Sequence, residues 1–187
     1  MSRVALKPWL TPQLINGRIF TLDAMHTQRA LCAQIQRFGG DYILEASDNQ
    51  PTLYEDIADL FEDRTPARRR WKQAQTWHKG HGRLEHRHIT CSPDLNDWFA
   101  KHWEGLEQVF RLERTARLLK TNQTRHEVDY GLSSLSMRQA PSVRMLALVR
   151  DHWAIENKLH FRRDGSFGED ACQTRVFTGA WPLGSVE

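Results

Sequence analysis

The sequence predicts an α/β fold, and three observations support this prediction. The chain has 187 residues, of which 40% are hydrophobic and 26% charged, values that are ordinary for a globular protein with one buried core. Its first third alternates short apolar segments with amphipathic ones. From Trp71 to Leu135 most segments are typical of strands. We therefore expect parallel strands with helices, interrupted by a β-rich insertion.

The first third predicts the order strand, helix, strand, helix. Two strands separated by one helix are expected to be parallel, with a right-handed crossover. Thr52, with Glu55 three residues later, has the pattern of a capping box and predicts the start of the second helix. Strands are predicted at Arg18–Asp23 and Asp41–Glu45, and helices at Thr27–Phe38 and Thr52–Phe61.

The remainder of the chain predicts three strands and a long helix. The charged segment Glu62–Arg70, which contains Pro66, predicts an exposed boundary. Strands are predicted at His81–Cys91, Val109–Leu119 and Glu127–Leu135, with a short helical or irregular piece at Asp94–Trp103 and a helix at Val143–Arg163. The expected organisation is a first part of the core at residues 1–63, the β-rich insertion at 64–138, a returning helix at 139–175 and a divergent tail at 176–187.

Glu156 lies on what would otherwise be the apolar face of the long helix. At about 100° per residue, one narrow stripe contains Met145, Val149, His152, Glu156, Leu159 and Arg163. A carboxylate on such a stripe is costly unless a metal ion or a basic group compensates it. The ordinary explanation is an i, i+4 contact with His152 or a pair with Arg163.

Asp23 is the second acidic residue of interest because it ends a predicted strand. Ligands and catalytic groups gather at the carboxyl ends of strands in open parallel sheets. Asp23 and Glu156 together would offer hard oxygen ligands that suit Mg²⁺ or Mn²⁺, which activate water or a 3′-hydroxyl for attack on a phosphodiester. The ordinary role for Asp23 alone is a helix N-terminal cap.

Several segments, in the same order along the chain, resemble bacterial insertion-sequence transposases of the H-repeat-associated group. The likeness covers roughly Gln13 to Arg175, and a series of motifs is more specific than any one alone. The segments are Leu22–Gln28, Gly39–Leu44, Asn49–Leu53, His81–Glu85, Ser133–Leu135, His152–His160 and Phe167–Ala171.

The resemblance implies a ribonuclease-H-like fold with a DDE active site and DNA, namely insertion-sequence ends, as partner. Asp23 would be the second aspartate and Glu156 the closing glutamate, both ligands of Mg²⁺ or Mn²⁺. The family has a tyrosine, an arginine and a lysine at the positions of Val149, His152 and Arg163. Phosphate contacts are therefore expected from His152, Lys158 and Arg163.

The resemblance also implies that this chain is a fragment truncated at both ends. The first aspartate of the family lies on an earlier, central strand, upstream of the segment that matches Gln13. Without that strand, Arg18–Asp23 would expose an apolar edge that favours self-association. With two of three carboxylates, metal binding would be weak, and we expect little or no strand transfer from this chain alone.

Two alternatives remain open at the level of sequence. A non-catalytic DNA-binding remnant would use the basic and aromatic block Arg64–Arg125 to contact phosphates. A zinc-binding module would use a cluster of histidines and a cysteine, although its spacing fits no familiar zinc pattern. That cluster is His78, His81, His86, His88 and Cys91.

Composition predicts a cytoplasmic protein, and the resemblance implies that it is bacterial and associated with the nucleoid when bound to DNA. No segment approaches the roughly 18 apolar residues of a membrane span, and Met1–Leu10 lacks the apolar stretch of a signal peptide. Cys32, Cys91 and Cys172 lie far apart and are expected to be reduced thiols. The formal charge of +3 permits an anionic partner without requiring one.

Overall fold

One mixed six-stranded sheet forms the centre of the fold, with strand order β1-β2-β6-β5-β4-β3. The computed structural model describes residues 10–22, 28–47, 50–62, 71–80, 82–94 and 101–151. The strands are β1 Ile19–Leu22, β2 Asp41–Ala46, β3 Lys72–Gly80, β4 Arg83–Ser92, β5 Gln108–Leu118 and β6 Thr124–Ser133. The helices are α1 Pro12–Ile15, α2 Arg29–Arg37, α3 Pro51–Glu62 and α4 at residues 142–151.

The strands of the first third and those of the β-rich block belong to the same sheet. β1 and β2 are parallel, as the strand-helix-strand pattern predicts, with Leu22 opposite Leu44. β2 then pairs antiparallel with β6, with Leu44 opposite Leu132. The remaining pairs are antiparallel. Within the described residues β1 pairs on one side only, with β2.

Each face of the inner part of this sheet is covered by helices. Because side chains alternate along a strand, Tyr42 and Leu44 pack on one face with α2 and α3, whereas Ile43 packs on the opposite face with α4. Both faces are apolar and buried there. This explains why β2 is almost continuously apolar in its middle, as expected for a strand between two layers.

Two predictions about individual elements are wrong. The sequence predicts three strands between Trp71 and Leu135, but there are four, because β3 also joins the sheet. β3 (KQAQTWHKG) is a polar edge strand without regular apolar alternation, so its sequence alone does not indicate a strand. Helix α3 begins at Pro51, which excludes Thr52 as its N-cap.

None of the helices in the described ranges is long and apolar enough to cross a membrane.

Candidate functional site

The carboxyl ends of β1 and β2 lie side by side at one edge of the sheet. The parallel register places Thr21 opposite Ile43 and Leu22 opposite Leu44. Leu22 is the last residue of β1, and Asp23 follows it directly in the sequence. Asp23 itself lies outside the described residues.

Helix α4 packs against the ends of these two strands. It begins after Pro141, whose carbonyl oxygen accepts a 2.9 Å hydrogen bond from the Met145 amide. Met145 and Val149 are buried, as the predicted stripe requires, and Leu146 is buried beside them. Val149 lines a small recess that opens to solvent. The other residues of its lining are Thr21, Leu22, Ile43, Leu44, Glu45 and Phe110.

The remaining predicted site residues lie beyond the described part of α4. His152, Glu156, Lys158 and Arg163 all fall outside the described residues. Among the residues that the structure describes, no group of three or more His, Cys, Asp or Glu side chains is arranged to hold a metal ion. The structure therefore leaves the predicted metal ligands as predictions.

A polar clamp, formed by Gln108, Ser133 and Ser134, fixes the chain where it leaves β6 for α4. The fully buried Gln108 amide donates to the carbonyl oxygens of Leu135 at 2.7 Å and Ala140 at 3.2 Å. Ser133 Oγ donates to the Tyr42 carbonyl oxygen at 2.8 Å. Ser134 Oγ accepts from the Tyr42 amide at 2.9 Å and donates to the Asp41 carboxylate at 2.8 Å.

Sequence reasoning used Ser133-Ser134-Leu135 as a motif of the resemblance but missed Gln108. Gln108 is the first residue of β5 and lies 27 and 32 positions before the two residues whose carbonyl oxygens it binds. A glutamine at the start of an apolar strand was the available signal. The clamp joins β2, β5 and the loop before α4, so it positions the start of that helix relative to the sheet.

Among the described residues, the histidines and the cysteine considered for zinc do not converge. In the β4 strand His86 and His88 face one side of the sheet, whereas Cys91 faces the other, where it is fully buried. Burial raises the pKa of the Cys91 thiol to about 12, which disfavours the thiolate that zinc requires. His78 pairs with Glu85 in the register and shares the side of Cys91. His81 lies outside the described residues.

Beyond α3 and α4, strands β3 to β6 continue as a four-stranded ribbon with two different faces. One of them, here called the arginine face, pairs its cations with carboxylates. Glu85 binds Arg83 and Arg87, the latter at 2.6 Å, and Glu127 binds Arg114 at 3.0 Å and Arg125 at 2.6 Å. Arg114 also binds Asp129, whose pKa is raised by burial even though Arg114 opposes the rise.

The opposite side of the ribbon, here called the tryptophan face, has a different composition. Its residues near the end of the ribbon are Trp77, Lys79, His86, Arg117 and His126. The Trp77 ring is 62% exposed and stacks on the His86 ring, with centroids 4.0 Å apart and planes 19° apart. Thr115 Oγ1 and His126 Nδ1 are 3.1 Å apart. Glu113, further in, binds Arg111 at 2.7 Å and His88 at 3.1 Å.

Comparison with known families identifies the class of protein. The family model described as "Transposase DDE domain" matches residues 3–181. The chain therefore belongs to the DDE transposase family. Proteins of this family act on DNA and generally use divalent metal ions. This result agrees with the resemblance to insertion-sequence transposases.

Several curated proteins are similar to the chain over most of its length. It is 32% identical over 176 residues to "Putative protein YbfL" and to "H repeat-associated putative transposase YhhI", both of Escherichia coli strain K12. These matches cover 88% of this chain and 45% of each relative. "Putative transposase YncI" of E. coli O157:H7 is 28% identical over 174 residues, 88% of this chain and 43% of that protein. The chain thus spans less than half the length of these relatives.

No solved structure matches the chain significantly.

Proposed function

We propose that this chain supplies two metal-binding carboxylates, Asp23 and Glu156, to the metal-dependent cutting and joining of DNA ends on a ribonuclease-H-like core. The observation that carries the proposal is the family match over residues 3–181, a range that includes both carboxylates. The parallel pair β1 and β2, with a helix between them in sequence, is compatible with such a core.

The two carboxylates follow elements that meet at the same edge of the sheet. Asp23 comes directly after Leu22, and Glu156 comes seven residues after Val149 in the sequence. Leu22 and Val149 line the same recess. Seven residues correspond to about two turns of an α-helix, and the predicted helix Val143–Arg163 includes both Val149 and Glu156. The position of Asp23 directly after β1 and the family match over residues 3–181 support Asp23 and Glu156 as ligands of one cation.

A divalent cation, Mg²⁺ or Mn²⁺, would activate water or a 3′-hydroxyl for attack on a phosphodiester. The protein groups in this proposal have separate tasks. Asp23 and Glu156 hold the cation, and His152, Lys158 and Arg163 contact phosphates of the DNA. Since the chain contains two of the three carboxylates that the resemblance implies, we propose that the 187 residues alone carry little or no strand-transfer activity.

Mn²⁺ binding tests the role of the carboxylates directly. Electron paramagnetic resonance of free Mn²⁺ during a titration with the 187-residue chain should show one weak site. Asp23→Asn and Glu156→Gln should each weaken it at least tenfold. Asp151→Asn is the matched control, because the Asp151 side chain is 68% exposed near the described end of α4. Equal Mn²⁺ binding by all four proteins would exclude the assigned ligands.

A nicking assay tests the proposed inactivity. Supercoiled DNA incubated with the purified chain and Mg²⁺ should remain supercoiled. Mg²⁺-dependent nicking that Glu156→Ala abolishes would overturn the proposal that the chain alone is inactive. We also propose that the side of β1 without a partner strand among the described residues supports self-association. Light scattering on the same sample tests this, and a purely monomeric sample would be contrary evidence.

A further inference from the structure

The end of the ribbon contains basic residues and no acidic ones. We call it the ribbon tip and define it by the segments 76–84 and 114–126, which form the ends of the β3-β4 and β5-β6 hairpins. Neither segment contains an aspartate or a glutamate. A surface of this composition favours an anionic partner. The cations of the tip are Lys79, Arg83, Arg114, Arg117, Lys120 and Arg125.

The two hairpin ends are joined, so their cations have defined positions. The Leu119 amide donates a 2.9 Å hydrogen bond to the Gly82 carbonyl oxygen across the two turns. Gly82 and Asn122 adopt the left-handed backbone region, with φ of 72° and 58°, which tight turns require. Cations on a pre-organised frame lose less entropy when a ligand binds them than cations on loose loops do.

The two faces of the ribbon differ in whether their cations are already paired. On the arginine face, Arg83 and Arg125 each bind a glutamate. On the other face Lys79 and Arg117 occupy one row of the sheet, two strands apart, with Leu84 between them. Arg117 Nε donates to the neutral Asn122 side chain at 2.5 Å. Neither Lys79, Arg117 nor Lys120 has a carboxylate partner within the described residues.

Trp77 adds an exposed aromatic ring beside these cations. Its ring is 62% exposed although it stacks on His86. A large exposed ring flanked by basic residues is typical of surfaces that contact nucleic acids, where the ring packs on sugars or bases and the cations bind phosphates.

We propose that the tryptophan face of the ribbon tip binds duplex DNA through its backbone. Lys79 and Arg117 would contact phosphates, and Trp77 would pack against a sugar of the backbone. Four strands span about 14 Å, which is wider than the major groove of about 12 Å, so the face lies along the backbone instead of entering the groove. This inference rests on the proposed function in taking DNA as the partner, and it assigns DNA contacts to residues other than His152, Lys158 and Arg163.

The salt dependence of DNA binding provides the test. Fluorescence anisotropy of a labelled duplex should be measured with the 187-residue chain between 50 and 200 mM NaCl, with EDTA present. Each phosphate contact contributes about 0.9 to the slope of log K against log salt concentration. The double variant Lys79→Gln/Arg117→Gln should therefore lower the slope by about 1.8.

The arginine face supplies a control that removes the same charge. Arg83→Gln/Arg125→Gln also removes two positive charges from the ribbon tip, but from residues engaged by glutamates, and it should change the slope by less than about 0.5. Trp77→Ala should weaken binding roughly tenfold and leave the slope unchanged, since an apolar contact releases no counterions. Circular dichroism should show the same fold for all variants.

Specific outcomes would overturn the inference. Equal slopes for the two double variants would mean that the DNA does not distinguish the faces. Binding to phosphatidylserine vesicles without binding to DNA would assign the face to a membrane surface. Because the slopes are measured in EDTA, they do not depend on any metal ion held by Asp23 and Glu156. If Mn²⁺ binding does not depend on Asp23 and Glu156 but the salt slopes differ as expected, the metal ligands are rejected and the DNA-binding surface is retained.

Discussion

The inner and outer halves of the same strands are built on different principles. In β4, Ile89 and Cys91 are fully buried, whereas Arg83 and Arg87, on the same side of the strand, form ion pairs at or near the surface. The change from buried apolar side chains to charged ones occurs where α4 ceases to cover the sheet. The sequence of a strand therefore reflects what packs on it. The strand is apolar where a helix covers it, and it carries paired charges where it faces water.

The largest effect should come from an apolar side chain of the inner half. Phe110 is fully buried under α4 and its ring lies against the backbone of Gly131. Phe110→Ala should lower the free energy of unfolding by about 3–5 kcal/mol in urea denaturation. Leu118→Ala, in the same strand at the 44% exposed tip, should cost less than about 1 kcal/mol. Similar losses for both would contradict the division into two halves.

The second largest loss of stability should come from the polar clamp of the inner half. Gln108→Ala would leave the buried carbonyl oxygens of Leu135 and Ala140 without their donor. We expect a loss of about 2–3 kcal/mol. Gln75→Ala removes an amide at the ribbon that contacts His86 at 2.9 Å in an exposed pair, and it should cost below about 0.5 kcal/mol. A Gln108→Ala protein as stable as the Gln75→Ala protein would show that the clamp contributes nothing.

A smaller difference is expected within the ribbon itself. The Glu85 side chain is 11% exposed and binds two arginines, whereas Glu127 is 30% exposed and one of its partners, Arg125, is 81% exposed. Glu85→Gln should cost about 1–2 kcal/mol, and Glu127→Gln less than about 1 kcal/mol. Added salt should reduce the effect of Glu127→Gln further, as thermal denaturation in 1 M NaCl would reveal.

The smallest effect on stability at neutral pH concerns the buried thiols. Burial raises the pKa of Cys32 and of Cys91 from 9.0 to about 12. The unfolded chain therefore loses these protons first, and stability should fall as the pH rises from 9 towards 12. In a Cys172→Ser variant at pH 8, Ellman's reagent should react with both thiols only after denaturant is added. Rapid reaction of the folded protein would contradict their burial.

Sequence patterns predicted the elements with strong periodicity and missed those that depend on pairing. Met145 and Val149 were placed correctly on the buried stripe of the long helix, because a 3.6-residue period is a local property. β3 was missed, since its polar residues form a strand through hydrogen bonds to β4 and not through apolar alternation. Gln108 was missed because its partners lie 27 and 32 residues away.

The sequence by itself determined the family, the α/β class, the parallel pair β1 and β2, and Asp23 and Glu156 as the candidate carboxylates. These follow from local periodicity and from motifs whose order is readable along the chain. Only the tertiary structure decided that the β-rich block continues the same sheet and that Gln108 fixes the start of α4. It also decided that Arg83 and Arg125 at the ribbon tip bind glutamates, whereas Lys79 and Arg117, on the other face, have no carboxylate partner among the described residues. The physical reason is that strand register sets which distant side chains share a face, and register is a property of paired strands.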